Sequence, residues 1–398
     1  MSLKLDFPIF ENNPGLVYLD NAATTLKPQL VIDGISDYLA NDYANIHRGS
    51  YSLSQKSEEM YFYSKRVVAN VLGGKEHEIV YTYNSTYAFN ILATTLVKSG
   101  YLKKGDKVLL SIAEHHANIV PWILISQEYG IVIDYIDITP NYEIDLNSLK
   151  DKYDDSVKLI SLTHVSNVTG SVTDLKAVKS ILRDDTLFCV DGSQAVPNFK
   201  VDVNEIGCHF YIFTGHKVMA STGIGVLWIK REILKTLKSS IGGGGSILEV
   251  TKNDFTYAKG YESLEPGTTN LVGAVSLIKA FEYIEKIGGF EKVEQIEKKL
   301  TAYTLEKFHA IKDKVVLLGN YSSDRIGVFS FSLLNGTEMR LFGEELANEN
   351  ICVRCGGHCA HPLHTQAGLK GTCRMSLYIY NDEKDIDKFF EQLILLAN

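Results

Sequence analysis

Seven short apolar runs punctuate the first two thirds of the chain, at 78–82, 107–111, 131–136, 158–163, 187–190, 210–213 and 225–229. Continuous apolar runs of this length predict strands covered on both faces. Helical spacing fills the stretches between, clearest over 54–72 and 273–287. Gly73-Gly74 and Gly288-Gly289 stand where a left-handed C-terminal cap is expected. Strands alternating with helices predict an α/β fold on a largely parallel sheet.

From about residue 290 the charge density rises and the organisation changes. Periodicity predicts a long helix over 290–311, strands at 315–318 and 327–333, a helix over 337–349, strands at 351–354 and 374–378, and a last helix after Asp382. Asp382 suits the N-cap of that helix, with further carboxylates in the first turn. A smaller α+β domain thus follows the α/β region, with no internal repeat. The Gly242–Gly245 run before Ser246 reads as a flexible loop and not as a phosphate cradle. At about 150 residues per domain, 398 residues allow two or three domains.

Composition narrows the class. Hydrophobic residues at 45% and charged residues at 22% exclude wholesale disorder. A net charge of -8 argues against a nucleic-acid binder. No apolar run approaches the ~20 residues of a membrane helix, and MSLKLDFPIF lacks the apolar stretch of a signal peptide. Six cysteines are too few for a disulfide scaffold. The expected compartment is reducing and cytoplasmic, where clustered cysteines serve metals or catalysis.

Ligands of open α/β sheets bind beyond the carboxyl ends of the strands. After 78–82 come Asn84, Ser85 and Thr86, then a helix beginning near Tyr87; hydroxyls there suit a phosphate or an ordinary cap. After 107–111 come Glu114, His115 and His116, a pair of imidazoles for stacking, acid–base work or a metal, though no third ligand is near. After 158–163 come His164 and Asn167, polar contacts to a substrate or loop caps. After 187–190 come Asp191 and Gln194. A buried acid needs a partner, either a protonated ring nitrogen or a backbone or Arg group. After 210–213 come Thr214, His216 and Lys217. Burial lowers an amine's pKa toward what Schiff-base chemistry needs, unless the lysine reaches solvent. Together these are the parts that pyridoxal phosphate (PLP) requires. A nicotinamide dehydrogenase would show G-x-G-x-x-G after an early strand, and none is present.

Four cysteines, Cys352, Cys355, Cys359 and Cys373, crowd the C-terminal region with His358, His361 and His364. Zinc or an iron–sulfur cluster is one reading, but C-x2-C-x3-C matches neither well. A thiolate activated by Arg354, His358 and His361 is the other, and it stands narrowly ahead, with no metal expected.

The stretches YLDNAATTLKP (18–28), NIHRGS (45–50), EHHANIVPW (114–122), THVSNVTG (163–170), VDGSQAV (190–196), TGHK (214–217), EPGTTN (265–270), RCGGHCA (354–360) and CRMSLYIYN (373–381) occur in this order over nearly the whole chain. They resemble the motifs of class V, fold-type I PLP enzymes, and among these the group II (SufS-type) cysteine desulfurases and selenocysteine lyases. The resemblance implies a large domain over 21–284 with a mixed, mostly parallel seven-stranded sheet. It also implies a smaller α+β domain from 1–20 and 285–398. It implies that Lys217 joins the cofactor covalently, Asp191 keeps the pyridine nitrogen protonated, Gln194 contacts the ring oxygen, and His115 stacks on the ring and assists proton transfer. Ser85, Thr86 and His216 would bind the phosphate, with Thr268 supplied by the other subunit of a homodimer. Asn167 and Arg374 would grip the substrate carboxylate, with Arg354 and His47 close by. Cys359 would take sulfur from L-cysteine as a persulfide and release L-alanine. The sulfur would pass to an acceptor protein, for iron–sulfur cluster assembly or sulfur trafficking, and selenocysteine is a second candidate substrate.

The chain departs from the family in places. Asn84-Ser85-Thr86-Tyr87 stands where G-T-T-E is common, Gly357-His358 stands where a His pair is usual, and Cys355 is added. The short 354–359 loop and the insertion-like stretch 242–264 are similar to group II. Two rivals remain: another class V enzyme, an aminotransferase or epimerase-like lyase, which needs no Cys359, and a cysteine-rich metal or Fe–S scaffold.

Overall fold

Each of the seven apolar runs becomes a strand of one sheet in the computed structural model, which describes residues 3–322 and 324–397. Residues 1, 2, 323 and 398, all in the smaller domain expected from the sequence, lie outside the described residues. In chain order the strands are β1 (Val17–Tyr18), β2 (Ile79–Thr82), β3 (Lys107–Ser111), β4 (Val132–Ile136), β5 (Val157–Thr163), β6 (Leu187–Asp191), β7 (Phe210–Thr214), β8 (Gly225–Ile229), β9 (Ile247–Val250), β10 (Phe255–Tyr257), β11 (Val315–Leu317), β12 (Val328–Leu333), β13 (Ile351–Cys352), β14 (Arg354–Gly356) and β15 (Thr372–Ser376).

The main sheet has the order β2-β8-β7-β6-β5-β3-β4. All its neighbours are parallel except β8, which runs antiparallel to both β2 and β7. Thr82, Ser111, Thr163, Asp191 and Thr214 therefore end their strands on one rim. Gly225 opens β8 on the same rim, opposite Thr82. A Cβ on Gly225 would lie 2.5 Å from the backbone carbon of Asn84, so the missing side chain lets the next helix start directly over the rim. Apolar clusters cover both faces. Helices Ser52–Leu72 and Leu271–Lys286 pack on one; Ser85–Lys98 and Val120–Tyr129 pack on the other. The edge strand β4 departs from the expected double cover, with Val132 exposed.

The second sheet has the order β11-β12-β15-β14. It forms a separate apolar cluster with helices Gly289–Ala310 and Glu383–Ala397. The strand expected at 351–354 divides in two: β13 pairs with β1, and β14 pairs with β15. The one expected at 374–378 lies earlier, at Thr372–Ser376. Asp382 caps the last helix as expected: its Oδ1 accepts the Asp385 N–H at 3.1 Å, and Asp385 reciprocates. Gly73 takes the expected left-handed cap (φ 71°). Gly288 instead precedes the following helix as its N-cap. The Gly242–Gly245 loop leads into the β9–β10 hairpin. Among the described residues no helix is long and apolar enough to cross a membrane.

Candidate active site

A cavity of about 250 Å³ opens on the rim, lined among others by Ser85, Thr86, His115, Lys217, Cys359 and Arg374. Lys217 arrives by a single 3-10 turn, Gly215–Lys217, directly after β7. Desolvation lowers its amine to about 8, against the opposing pull of Asp191. Asp191, the last residue of β6, is buried, and its Oδ1 accepts the Ser193 N–H at 3.0 Å. Burial pushes its carboxyl up, and Lys217 pulls it back. Gln194 borders a smaller cavity beside Lys217, with its Nε2 donating to Ala22 O at 2.8 Å.

His115 is held neutral. Burial, then Lys217, lowers its pKa to about 3. Its Nδ1 accepts the Ala117 N–H at 3.0 Å, so its proton sits on Nε2. His216 also lines the cavity and is lowered to about 4 by burial. The carbonyl of His216 accepts from the hydroxyls of Thr24 and Thr25.

The helix after β2 begins at Ser85, two residues before the expected start near Tyr87. Asn84 is its N-cap and accepts the Tyr87 N–H at 2.9 Å. Ser85 and Thr86 thus occupy the first two helical positions, whose N–H groups have no partner within the helix. Thr214 adds a signal missed in the sequence: its buried Oγ1 has no partner and it lines the same cavity. Free N–H groups, a helix N-terminus and hydroxyls suit a phosphate.

Arg374 approaches on β15. Its Nη1 donates to Asn167 O at 3.0 Å, its Nη2 to Asp20 Oδ1 at 3.1 Å, and its buried Nε has no partner. Arg354, opposite it on β14, donates to Asp20 Oδ2 at 3.2 Å. Asp20 is a second residue to which sequence reasoning gave no role. Asn167 turns its Nδ2 to the carbonyl of His358, 2.8 Å away. Cys359 is exposed on the cavity wall.

Thr268 and His47 are not brought to this cavity. Thr268 lies with Tyr83, Tyr87 and Asn270. His47 lies with Glu58, its Nδ1 3.4 Å from Oε1. His164 bonds the Tyr211 hydroxyl at 2.9 Å and serves packing. Cys355 faces Cys373 across β14 and β15, on the face opposite Arg354 and against Gly343. Among the described residues no group of three or more His, Cys, Asp or Glu is placed to hold a metal.

The aminotransferase class-V family profile matches residues 17–389. A probable cysteine desulfurase of Xylella fastidiosa (strain 9a5c) is 37% identical over 396 residues, covering 98% of this chain and 94% of its own. A cysteine desulfurase from Thermococcus onnurineus NA1 superposes with a TM-score of 0.93 at 31% identity, covering 99% of this chain and 97% of its own. The cysteine desulfurase CsdA of Escherichia coli gives 0.89 at 29% identity, with coverage of 99% and 97%. The seven-stranded sheet with its reversed β8, the strand-end lysine and these full-length matches agree, and the chain belongs to the aminotransferase class-V family.

Proposed function

We propose that this chain is a PLP-dependent cysteine desulfurase of the group II type. The observation that carries the reading is that Lys217, Arg374 and Cys359 line one cavity. The residues present fit the cofactor. Lys217 would bind it covalently; Ser85, Thr86, Thr214 and His216 would hold its phosphate. The buried Asp191 carboxylate would meet its ring nitrogen, with Gln194 and His115 against the ring. The orphaned Thr214 hydroxyl and the uncapped N–H groups of Ser85 and Thr86 support this. PLP, when bound, withdraws electrons from the Cα of an attached amino acid and acidifies its proton.

The chain's own groups supply the rest. Arg374 would hold the substrate carboxylate through its free Nε, since a guanidinium recognises carboxylates in a fixed geometry; Arg354 and Asn167 flank it. An amine titrating near 8 lets Lys217 take and return a proton at neutral pH. The Cys359 thiolate attacks the substrate sulfur. The new S–S bond forms as the substrate's C–S bond breaks. That bond's electron pair stays with the substrate's Cβ, which takes up a proton, so the carbon is reduced as the sulfur is oxidised. Alanine leaves, and Cys359 keeps the sulfur as a persulfide.

Thr268 and His47 lie away from this chain's own cavity, which favours a homodimer in which each subunit supplies them to the other. The exposure of Cys359 suits hand-off to an acceptor protein, with iron–sulfur assembly as the end use and selenocysteine as a second substrate. The separate apolar cluster around β11, β12, β14 and β15 favours the division into 21–284 and 1–20 with 285–398. Its free cysteines favour the cytoplasm.

The deciding experiment feeds L-cysteine to the purified protein and measures alanine and sulfide. The expected result is turnover that Cys359→Ser abolishes and a yellow cofactor band that Lys217→Ala removes. Full turnover by Cys359→Ser would remove the mechanism.

A further inference from the structure

Cys359 sits on a backbone that needs support. His358 and Cys359 have φ of 48° and 54°, a left-handed region that residues bearing a Cβ adopt only when their surroundings impose it. Two residues from the rim of the main sheet impose it. Asn167 donates to the His358 carbonyl. The backbone N–H of His116 donates to the Cys359 carbonyl at 2.7 Å.

His116 then reaches past the cysteine. Its Nε2 accepts the backbone N–H of His361 at 3.2 Å. The two imidazoles meet edge to face with centroids 4.6 Å apart. The His361 ring folds back over Gly357, where a Cβ would lie 2.5 Å from His361 Cδ2. One residue therefore brackets Cys359, through its carbonyl and through an N–H two positions on. The preceding residue, His115, faces the cavity beside Lys217. A single turn thus ties the cofactor-facing imidazole to the cysteine loop.

We propose that His116 is a positioning residue for Cys359, with His361 as its counterpart, and that this clasp sets the approach of the Cys359 sulfur to the substrate sulfur. The proposal rests on the desulfurase reading of the cavity. Accepting at Nε2 uses the ring's lone pair, so His116 acts in its neutral form with the proton on Nδ1. Burial and the neighbouring His361 both lower its pKa and keep it in that form. Sulfur-to-sulfur attack depends on placement to a fraction of an ångström, whereas Lys217 and Arg374, the groups assigned to the cofactor and the substrate carboxylate, lie outside this loop.

The test uses the holoenzyme as His116→Ala, His116→Gln and His361→Ala. Two readouts are taken: alanine formed in a single turnover, and the change in cofactor absorbance on adding L-cysteine. In His116→Ala, alanine formation should slow about tenfold while the absorbance change and KM stay within about twofold of wild type. In His116→Gln the side-chain oxygen can accept the His361 N–H, and most of the rate should return. His361→Ala keeps that N–H and loses only the ring contact, for a loss of about threefold. A wild-type rate in His116→Ala overturns the proposal. So does an absorbance change impaired as much as alanine formation, or a Gln variant as slow as Ala, because either marks a merely structural role. If the wild-type protein itself releases no alanine, the desulfurase reading fails first and this inference falls with it.

Discussion

Nη2 of Arg374 lies 3.1 Å from Oδ1 of Asp20, a contact that joins the two ends of the chain at the cavity wall. The other oxygen of Asp20 holds Arg354 at 3.2 Å. The two arginines stand directly opposite each other on antiparallel strands, where like charges repel. Asp20 is what lets both stay. Asp20→Asn should cost about 2 kcal/mol or more of stability, because it leaves a buried guanidinium without its counter-charge. With Arg374 no longer oriented, KM for L-cysteine should rise about tenfold with a smaller change in kcat. Urea unfolding and steady-state kinetics check both, and an unchanged KM would exclude Asp20 as the orienting group.

Thr214 offers a cleaner separation of binding from folding. Its buried hydroxyl has no protein partner, so the protein already bears the cost of burying it. Thr214→Val keeps the shape and removes the orphan. The cofactor-free protein should be as stable as wild type or slightly more so. PLP affinity should fall about tenfold, the worth of one hydrogen bond to a charged phosphate. Thermal melts of the cofactor-free form and PLP titration measure the two, and unchanged affinity would take Thr214 out of the phosphate site.

The main sheet and two of its strand-end groups were legible because a buried parallel strand leaves an apolar run whose end marks the rim. Asp191 and Lys217 were placed that way. The start of the helix at Ser85 was not, since the apolar periodicity resumes only at Ala88 and the N-cap is a hydrogen bond, invisible in residue type. Asp20 lay inside a quoted motif, but its role depends on the pairing of β1 with β13 and on the register of β14 with β15. Those strands are two, two, three and five residues long; β1 is too short to leave a pattern, and β13 and β14 read as one strand. His47 was expected beside the substrate carboxylate from a family motif, but the fold places it against Glu58 instead, a neighbour 11 positions on that no motif names.

Lys217 predicts a pH dependence for cofactor capture. Only the neutral amine attacks an aldehyde, and desolvation lowers Lys217 to about 8. The rate of PLP capture by cofactor-free protein should therefore rise as pH increases through about 8 and level off above it. Asp191 pulls the pKa upward, so Asp191→Asn should move the midpoint to lower pH. Stopped-flow mixing across pH reads both. A midpoint at the ordinary lysine value, near 10.5, would mean that Lys217 is not desolvated as the structure places it.

Lys65 and Glu265 form a buried ion pair that fastens the segment preceding Thr268. Lys65 is 1% exposed. Its Nζ lies 2.7 Å from Glu265 Oε1 and 2.8 Å from Ile79 O, and 3.5 Å above the Tyr261 ring. The same carboxylate accepts the Tyr81 N–H at 2.6 Å and the Tyr61 hydroxyl. Burial lowers the Lys65 pKa, and Glu265 opposes that shift. Lys65→Met alone strands the carboxylate and should cost about 3–5 kcal/mol. Glu265→Gln alone strands the ammonium but keeps an oxygen for Tyr81. In the double variant neither charge is left behind, so its cost should fall short of the sum of the singles by about 2 kcal/mol or more. Urea unfolding of the four proteins closes the cycle. Additivity within about 0.5 kcal/mol would mean that the two side chains do not depend on each other.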